Sequence, residues 1–218
     1  MKIIMFDNRY GLTQAVIDEI KTMTRRMIGV VDSIEAKLDE KGYLVCDMWD
    51  GGMYVGTVKS RYKIGEEVAI AQRYCELAKT DDFFNCEKAK RHAGWNNKMF
   101  VKPELMPNRI RITGIKCERL SEISDEDCLR EGIIQVQWKQ WLEQDINDLS
   151  PQKFRTWNVF TLPLYWDECA ADIIEDEKAW MADSPKTAFA VLIQKMMGME
   201  TWERNPWVFA YDFKLIKH

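Results

Sequence analysis

Apolar and polar residues alternate along several short stretches of this 218-residue chain, which is typical of half-buried β-strands. The longest stretch is NRIRITGIKCERL at residues 108–120, where the alternation slips at Gly114 and predicts a β-bulge. Two runs that flank the sequence WDGG predict a hairpin, because Asp-Gly favours a tight turn. The predicted strands are residues 2–6, 43–48, 53–58, 68–72, 108–120 and 207–216.

Helical spacing of apolar residues predicts three helices. The first helix is expected to end near Lys21. The second, at residues 125–131, is expected to begin after an N-cap at Ser124 and to end at Gly132. The third begins at Ser184-Pro185. The residues expected to face inward are Leu12, Ala15, Val16 and Ile20 in the first helix and Phe189, Leu192, Ile193 and Met196 in the third.

Strands at both ends of the chain with helices between them predict one α+β domain over residues 1–218. A last strand beside the first would help to close a β-barrel. Residues 76–104 are polar and irregular and predict a long loop, a kind of segment that is often functional. Residues 133–183 hold several tryptophans in mixed surroundings and are interpreted as a helical insertion.

The composition is that of a globular protein, with 46% hydrophobic residues and 25 aromatic ones, so the core needs neither disulfide nor metal. No apolar run approaches the roughly 20 residues of a membrane span. At the N-terminus, MKIIMFDNRY, the apolar stretch before Asp7 is too short for a secretory signal. A cytoplasmic location with no membrane contact and six reduced cysteines is therefore expected. Cys75, Cys86 and His92 match no zinc spacing, so neither a metal nor another cofactor is predicted.

Charge is distributed unevenly, although the formal net charge is only −4. Residues 87–102 carry five basic side chains and one acid, whereas residues 166–183 carry seven acids and one lysine. An acidic body disfavours non-specific coating of long nucleic acid, which depends on many phosphate contacts. One local basic surface suits a short or single-nucleotide ligand better than a long duplex.

Three segments, in the expected order, resemble the ASCH family of the PUA-like group, particularly its longer members from phages and prophages. The first is KTMTRRM at residues 21–27, which follows the first predicted helix. The second is the block KPELMPNRI at 102–110, with ERL at 118–120, ISDED at 123–127 and REGI at 130–133. The third is WERNPWV at 202–208 with Phe213-Lys214 after it. Relatives often end the strand near residue 72 with a charged pair, where this chain has Ala71-Gln72.

The resemblance implies a mixed β-barrel with flanking helices, and a cleft beside the first helix that takes RNA or a nucleoside. Some small family members are amidohydrolases that deacetylate acetylated cytidine, and the residues proposed for that chemistry fall on Lys21, Thr24 and Glu131. A neutral lysine could activate the threonine hydroxyl, and Glu131 could relay a proton to the leaving amine. The alternative is a plain Lys21–Glu131 ion pair, with Thr24 bonded to backbone.

The remaining candidates are ligand-binding residues. Arg25 and Arg26 can hold phosphate through bidentate contacts, or they can be surface charges after a helix. Trp95 lies among Arg91, Lys98 and other cations, a combination that can stack on bases and neutralise phosphates. The alternative is a solvated loop that is anchored by the one buried ring of Trp95. The full set of candidates is Thr22, Arg25, Arg26, Gln72, Arg91, Trp95, Lys98 and Arg109.

Three functions remain open at this level. The leading hypothesis is a binding module for RNA or a modified nucleoside in the cleft beside the first helix. The second is an amidohydrolase that removes the acyl group from a nucleoside of the 4-acetylcytidine type. The third is a protein-interaction module that binds its partner through the acidic insertion at about residues 133–183. The oligomeric state is not predicted.

Overall fold

The fold is a mixed α+β arrangement, as predicted, seen here in a computed structural model that describes residues 1–79, 84, 86–141, 154–162 and 181–216. Its main element is a five-stranded sheet in the order β1-β6-β7-β10-β2, in which only the β1–β6 pair is parallel. These strands are β1 (Lys2–Ile4), β2 (Met23–Gly29), β6 (Glu67–Ile70), β7 (Arg109–Arg119) and β10 (Trp207–Ile216).

Two smaller antiparallel sheets accompany the main one. The first is three-stranded and consists of β3 (Ser33–Leu38), β4 (Leu44–Asp50) and β5 (Met53–Lys59). The second is a two-stranded ladder of β8 (Ile134–Trp141) and β9 (Phe154–Thr161). The described strands form three open sheets, with β1 and β2 at the edges of the largest, and the PUA-like barrel stays a prediction.

The helices of the described residues are mostly short. Only the one that begins at Pro185 exceeds two turns, and none is long and apolar enough to cross a membrane. They are α1 (Leu12–Ile17), α2 (Tyr74–Leu77), α3 (Glu87–Lys90), α4 (Asp125–Arg130), α5 (Pro185–Met197) and α6 (Thr201–Arg204).

Several local predictions are confirmed. The register of β7 against β10 shifts where Asp212 pairs with Gly114 and Phe213 with Ile112, which is the predicted bulge. Ser124 Oγ accepts a hydrogen bond from the Asp127 amide and caps α4, and Gly132 follows its end at φ 104°. The hairpin of β4 and β5 turns at Gly51-Gly52, and β10 has the predicted bounds.

The first helix is shorter than predicted. It ends at Ile17, and Glu19 adopts a left-handed conformation at φ 61°, which turns the chain sharply. Ile20 is therefore 37% exposed and not on the buried face with Leu12 and Val16. The turn is closed by the Lys21 amide, which donates to the Ala15 carbonyl at 2.8 Å.

The insertion and the chain ends also differ from expectation. The described part of residues 133–183 contains the ladder of β8 and β9, so the prediction of a helical insertion is wrong there. The acidic run 167–177 lies outside the described residues. The last strand, β10, lies between β7 and β2, while β1 pairs with β6 at the edge, so the first and last strands are not neighbours. Residues 76–104 contain α3 and several single turns of 3₁₀ helix.

Two apolar clusters hold these elements together. The larger packs the main sheet against α1, α4 and α5, through residues such as Val16, Ile112, Phe189 and Tyr211. The smaller packs the segment after β6 against the loop before β7, through Tyr74, Val101 and Met106. The start of β2 is buried near α1 and α5, so a polar side chain there that lacks a partner is energetically costly.

Candidate functional site

Lys21 is a buried cation at the entrance to β2, with only 2% of its surface exposed. Its Nζ donates a hydrogen bond to the Glu131 backbone carbonyl at 2.7 Å and forms an ion pair with the Glu131 carboxylate. Burial lowers the pKa of Lys21, and this effect outweighs the upward influence of Glu131. The structure therefore brings Lys21 and Glu131 together and weakens the charged form of the lysine.

Thr24 faces a small inner cavity of about 30 Å³, which is also lined by Lys21, Arg26 and Glu131. The side chain is buried, and its hydroxyl makes no hydrogen bond to another described residue. The backbone bond expected in the ion-pair alternative is thus not formed within the described part of the chain. A cavity of this size admits a water molecule but not a nucleobase.

Arg25 also lines the inner cavity, but its guanidinium is bonded to carboxylates. Its Nη1 donates to Glu131 Oε1 at 3.0 Å, and its Nη2 donates to Glu118 Oε1 at 2.5 Å and to Asp127 Oδ2 at 3.1 Å. Lys116 donates to the same Asp127 oxygen at 2.7 Å. A buried guanidinium with this many anionic partners has little capacity left for a phosphate.

Arg26 points the other way, because successive side chains of a strand lie on opposite faces. Its Nη2 donates to the Met5 carbonyl at 2.6 Å, and its guanidinium lies 5.9 Å from the centre of the Phe6 ring. It forms no ion pair with a carboxylate in the described residues. Burial lowers the pKa of this guanidinium, so an anionic ligand beside it would relieve an unfavourable charge.

Arg26 also lines a large cavity of about 620 Å³ that shares four residues with the inner cavity. Two of its cations are already neutralised, Arg9 by Asp7 at 2.7 Å and Arg73 by Glu76 at 2.6 Å. The residues that line this large cavity are Met5, Phe6, Asp7, Asn8, Arg9, Arg26, Arg73, Asn96, Asn97, Lys98 and Met196.

Lys98 is the second cation of the large cavity without a carboxylate partner in the described residues. It donates to the Phe6 carbonyl and, at 2.9 Å, to Asn8 Oδ1. Burial lowers the pKa of this lysine, as it does for Arg26. The basic segment predicted to contact a ligand thus reaches the cavity through Lys98.

The other predicted ligand residues lie outside the large and inner cavities. The Thr22 amide donates to the Arg130 carbonyl at 2.8 Å, and Gln72 Oε1 accepts from Asn108 at 2.8 Å. Arg91 is exposed at the end of α3. Trp95 packs against the smaller apolar cluster, and Arg109 Nε is buried without a hydrogen-bond partner among the described residues.

Several lining residues were not predicted from the sequence. Asn8 and Arg9 lie a few residues after β1, and Arg73 lies shortly after β6, so the segments that follow two adjacent strands supply them. Arg73 and Glu76 form an ion pair after β6, and Glu76 also accepts a hydrogen bond from Asn8 at 2.8 Å. Polar residues soon after a buried strand were the available indication.

No group of three or more His, Cys, Asp or Glu side chains suited to a metal occurs in the described residues. Comparison of the chain with protein-family models, with curated proteins and with solved structures gives no match.

Proposed function

We propose that the protein binds RNA or a modified nucleoside in the large cavity, with Arg26 as the main contact for phosphate. The observation that carries this proposal is the position of Arg26, a desolvated guanidinium without a carboxylate partner among the described residues, at the junction of the large and inner cavities. The ASCH relationship and its PUA-like barrel belong to the same proposal and rest on the ordered sequence segments.

The charge balance of the large cavity supports an anionic ligand. Because Arg9 and Arg73 are paired with acids, Arg26 and Lys98 supply the positive charge that remains. Asn96 and Asn97 add amide groups that can donate and accept hydrogen bonds, as base edges require. Phe6 and the methionines Met5 and Met196 provide an apolar surface for a ring.

Titration of the Arg26→Met variant with nucleotides tests the proposal. Since a hydrogen bond to a charged group contributes about 1.5–3 kcal/mol, we expect affinity to fall about tenfold to a hundredfold. The measurement is isothermal titration at low ionic strength with each nucleoside 5′-monophosphate and with short RNA. Arg204→Met is the matched control, because Arg204 is exposed on α6 and lies outside the cavities. Absence of binding by the unmodified protein would refute the proposal.

A second candidate is an amidohydrolase, and one observation favours it. Thr24, Lys21 and Glu131 line the same inner cavity, and burial lowers the pKa of Lys21 toward the neutral form that a base requires. The nucleobase of the substrate would occupy the large cavity. Only the acetyl group of the substrate or a water molecule would enter the inner cavity.

The route is as follows. Neutral Lys21 takes the proton of the Thr24 hydroxyl as the oxygen attacks the acetyl carbonyl, and Arg26 stabilises the oxyanion. Lys21 returns the proton to the leaving amine, which gives the free base and an acetyl-Thr24 ester. A water molecule, deprotonated by Lys21, then releases acetate and restores Thr24. Glu131 accepts hydrogen bonds from Lys21 and Arg25, so in this route it orients Lys21.

Incubation with 4-acetylcytidine, followed by chromatography of free cytidine, tests this route. Thr24→Val keeps the branched shape but removes the hydroxyl, and we expect no release, while the exposed Thr113→Val control retains full release. Circular dichroism checks that both variants are folded. Full release by Thr24→Val would remove Thr24 from the chemistry, and no release by the unmodified protein would leave only binding.

A further inference from the structure

A third cavity, here called the side cavity, lies beside Arg26 and is not part of the site described above. It measures about 340 Å³ and lies between β5, the β5–β6 connection, β2 and β10. It shares Met5 and Arg26 with the large cavity, so the two cavities adjoin at these side chains. Its volume is at the lower end of the range of small-ligand sites.

The walls of the side cavity combine aromatic rings with positive charge. Tyr62, Phe209 and Tyr211 form a buried floor, and their positions are fixed by hydrogen bonds from the Tyr62 hydroxyl to the Ile3 carbonyl at 2.9 Å and from the Arg61 amide to the Tyr211 hydroxyl at 3.0 Å. Met27, which is half exposed, adds an apolar rim. A rigid apolar floor of this kind suits a planar base.

The charge of the side cavity is positive. Arg26, Lys59 and Arg61 line it, and none of the described residues that line it is acidic. Lys59 is paired with Asp39 at 2.6 Å, whereas Arg61 is exposed and its guanidinium lies 5.6 Å from the Tyr62 ring centre. Arg61 is thus free of a carboxylate partner in the described residues, as Arg26 is.

We propose that the side cavity holds a second base, so that the protein binds a single-stranded RNA segment of at least two nucleotides whose connecting phosphate contacts Arg26. This inference rests on the proposed function, because the first nucleotide occupies the large cavity. The geometry carries it: two cavities that adjoin at the Arg26 side chain correspond to two bases joined by one phosphate. Arg61 then contacts the second base or the phosphate beyond it.

The test compares each nucleoside 5′-monophosphate with the homodinucleotide of the same base, by isothermal titration at low ionic strength. Because stacking of one base contributes about 1–3 kcal/mol, the dinucleotide should bind roughly 5-fold to 100-fold more tightly. In Arg61→Met this ratio should be lower, because the contact of Arg61 with the second base is lost while the aromatic floor remains, whereas in the exposed Arg204→Met control the ratio should persist.

The outcomes separate the two proposals. Equal affinity for mononucleotide and dinucleotide overturns the second-base site and leaves the proposed function in place. A ratio that Arg61→Met does not change overturns it as well, because the gain then comes from elsewhere. No binding of any nucleotide overturns both proposals. Thermal unfolding of Arg61→Met, an exposed substitution, checks that the fold is retained.

Discussion

Glu131 holds two cations at once, Lys21 through Oε2 and Arg25 through Oε1. Arg25 extends the contact to Glu118 and Asp127, so five charged side chains form one buried or half-buried network. Breaking a buried pair by removal of one partner costs about 3–5 kcal/mol, since the other charge stays uncompensated. The network therefore fixes β2 against α4 and β7, and with them the walls of the inner cavity.

Asp127 should make the protein sensitive to acid. Burial alone would raise the pKa of this carboxyl, but the hydrogen bonds and charges of Lys116 and Arg25 outweigh burial and hold the pKa below its ordinary 3.8. Because the folded-state pKa is lower than the unfolded one, the stabilisation is complete above the unfolded value. It is lost as pH falls through the folded value.

Asp127→Asn should therefore be less stable than the unmodified protein at neutral pH, and the difference should shrink below about pH 3.8. Urea unfolding at neutral pH and at about pH 3 measures this. Asp125→Asn, an exposed change in the same helix, is the control. A difference that does not vary with pH would show that the carboxylate charge of Asp127 is not the cause.

The sequence predicted some of these residue contacts and missed others for a physical reason. The Lys21–Glu131 ion pair was one of two stated alternatives, and Arg26 and Lys98, which were predicted to bind a ligand, both line the large cavity. The opposite orientations of Arg25 and Arg26 were not foreseen, because they follow from β2 and no strand was predicted there. Contacts such as Asn8 with Glu76 join distant segments, which local patterns do not specify.

At the scale of elements, different local signals predicted different elements. Alternation predicted β7, and the caps predicted α4, each of which buries one face. The strand β5 is exposed and was predicted from the Asp-Gly turn, and β10 is buried on both faces over its centre and was predicted from its apolar run. The strand β3 was not predicted although its sequence SIEAKL alternates, and the structure leaves it exposed along almost its whole length. The left-handed conformation that shortens α1 occurs at Glu19 and not at a glycine, so the sequence did not indicate it.

Gly94 controls the loop that carries Lys98, and Gly94→Ala should displace it. An added Cβ would lie 2.8 Å from the Tyr74 ring and 3.2 Å from the Phe100 carbonyl. Tyr74 cannot yield easily, because it is buried and its hydroxyl accepts a hydrogen bond from the Lys102 amide at 2.9 Å. Overpacking of this kind costs about 1–3 kcal/mol.

We therefore expect Gly94→Ala to lower the free energy of unfolding by about 1–3 kcal/mol and to weaken nucleotide binding through Lys98. Urea unfolding and the same titrations measure both effects. Gly29→Ala is the matched control, since no atom lies within 4 Å of its added Cβ. Unchanged stability and affinity in Gly94→Ala would mean that the loop adjusts without moving Lys98.

At the scale of the whole molecule, the α+β class was predictable but the order of strands was not. The sequence indicated strands near both ends, and a C-terminal strand beside an N-terminal one was considered as a way to close a barrel, whereas β1 lies at the edge and β10 lies between β7 and β2. Partner choice depends on contacts between segments far apart in the chain, and local periodicity does not specify these contacts. The three cavities arise from the same long-range arrangement, since Arg26 meets residues from β1, β5 and the loop after α3.

The central position of β10 has a consequence for how the protein is made. During synthesis, β2 and β7 leave the ribosome long before β10, and each waits with an unpaired edge on the side that β10 will fill. The nascent chain cannot complete its main sheet until its last described strand emerges. Until β10 is synthesised, the edges of β2 and β7 that it will cover stay open to pairing with another chain.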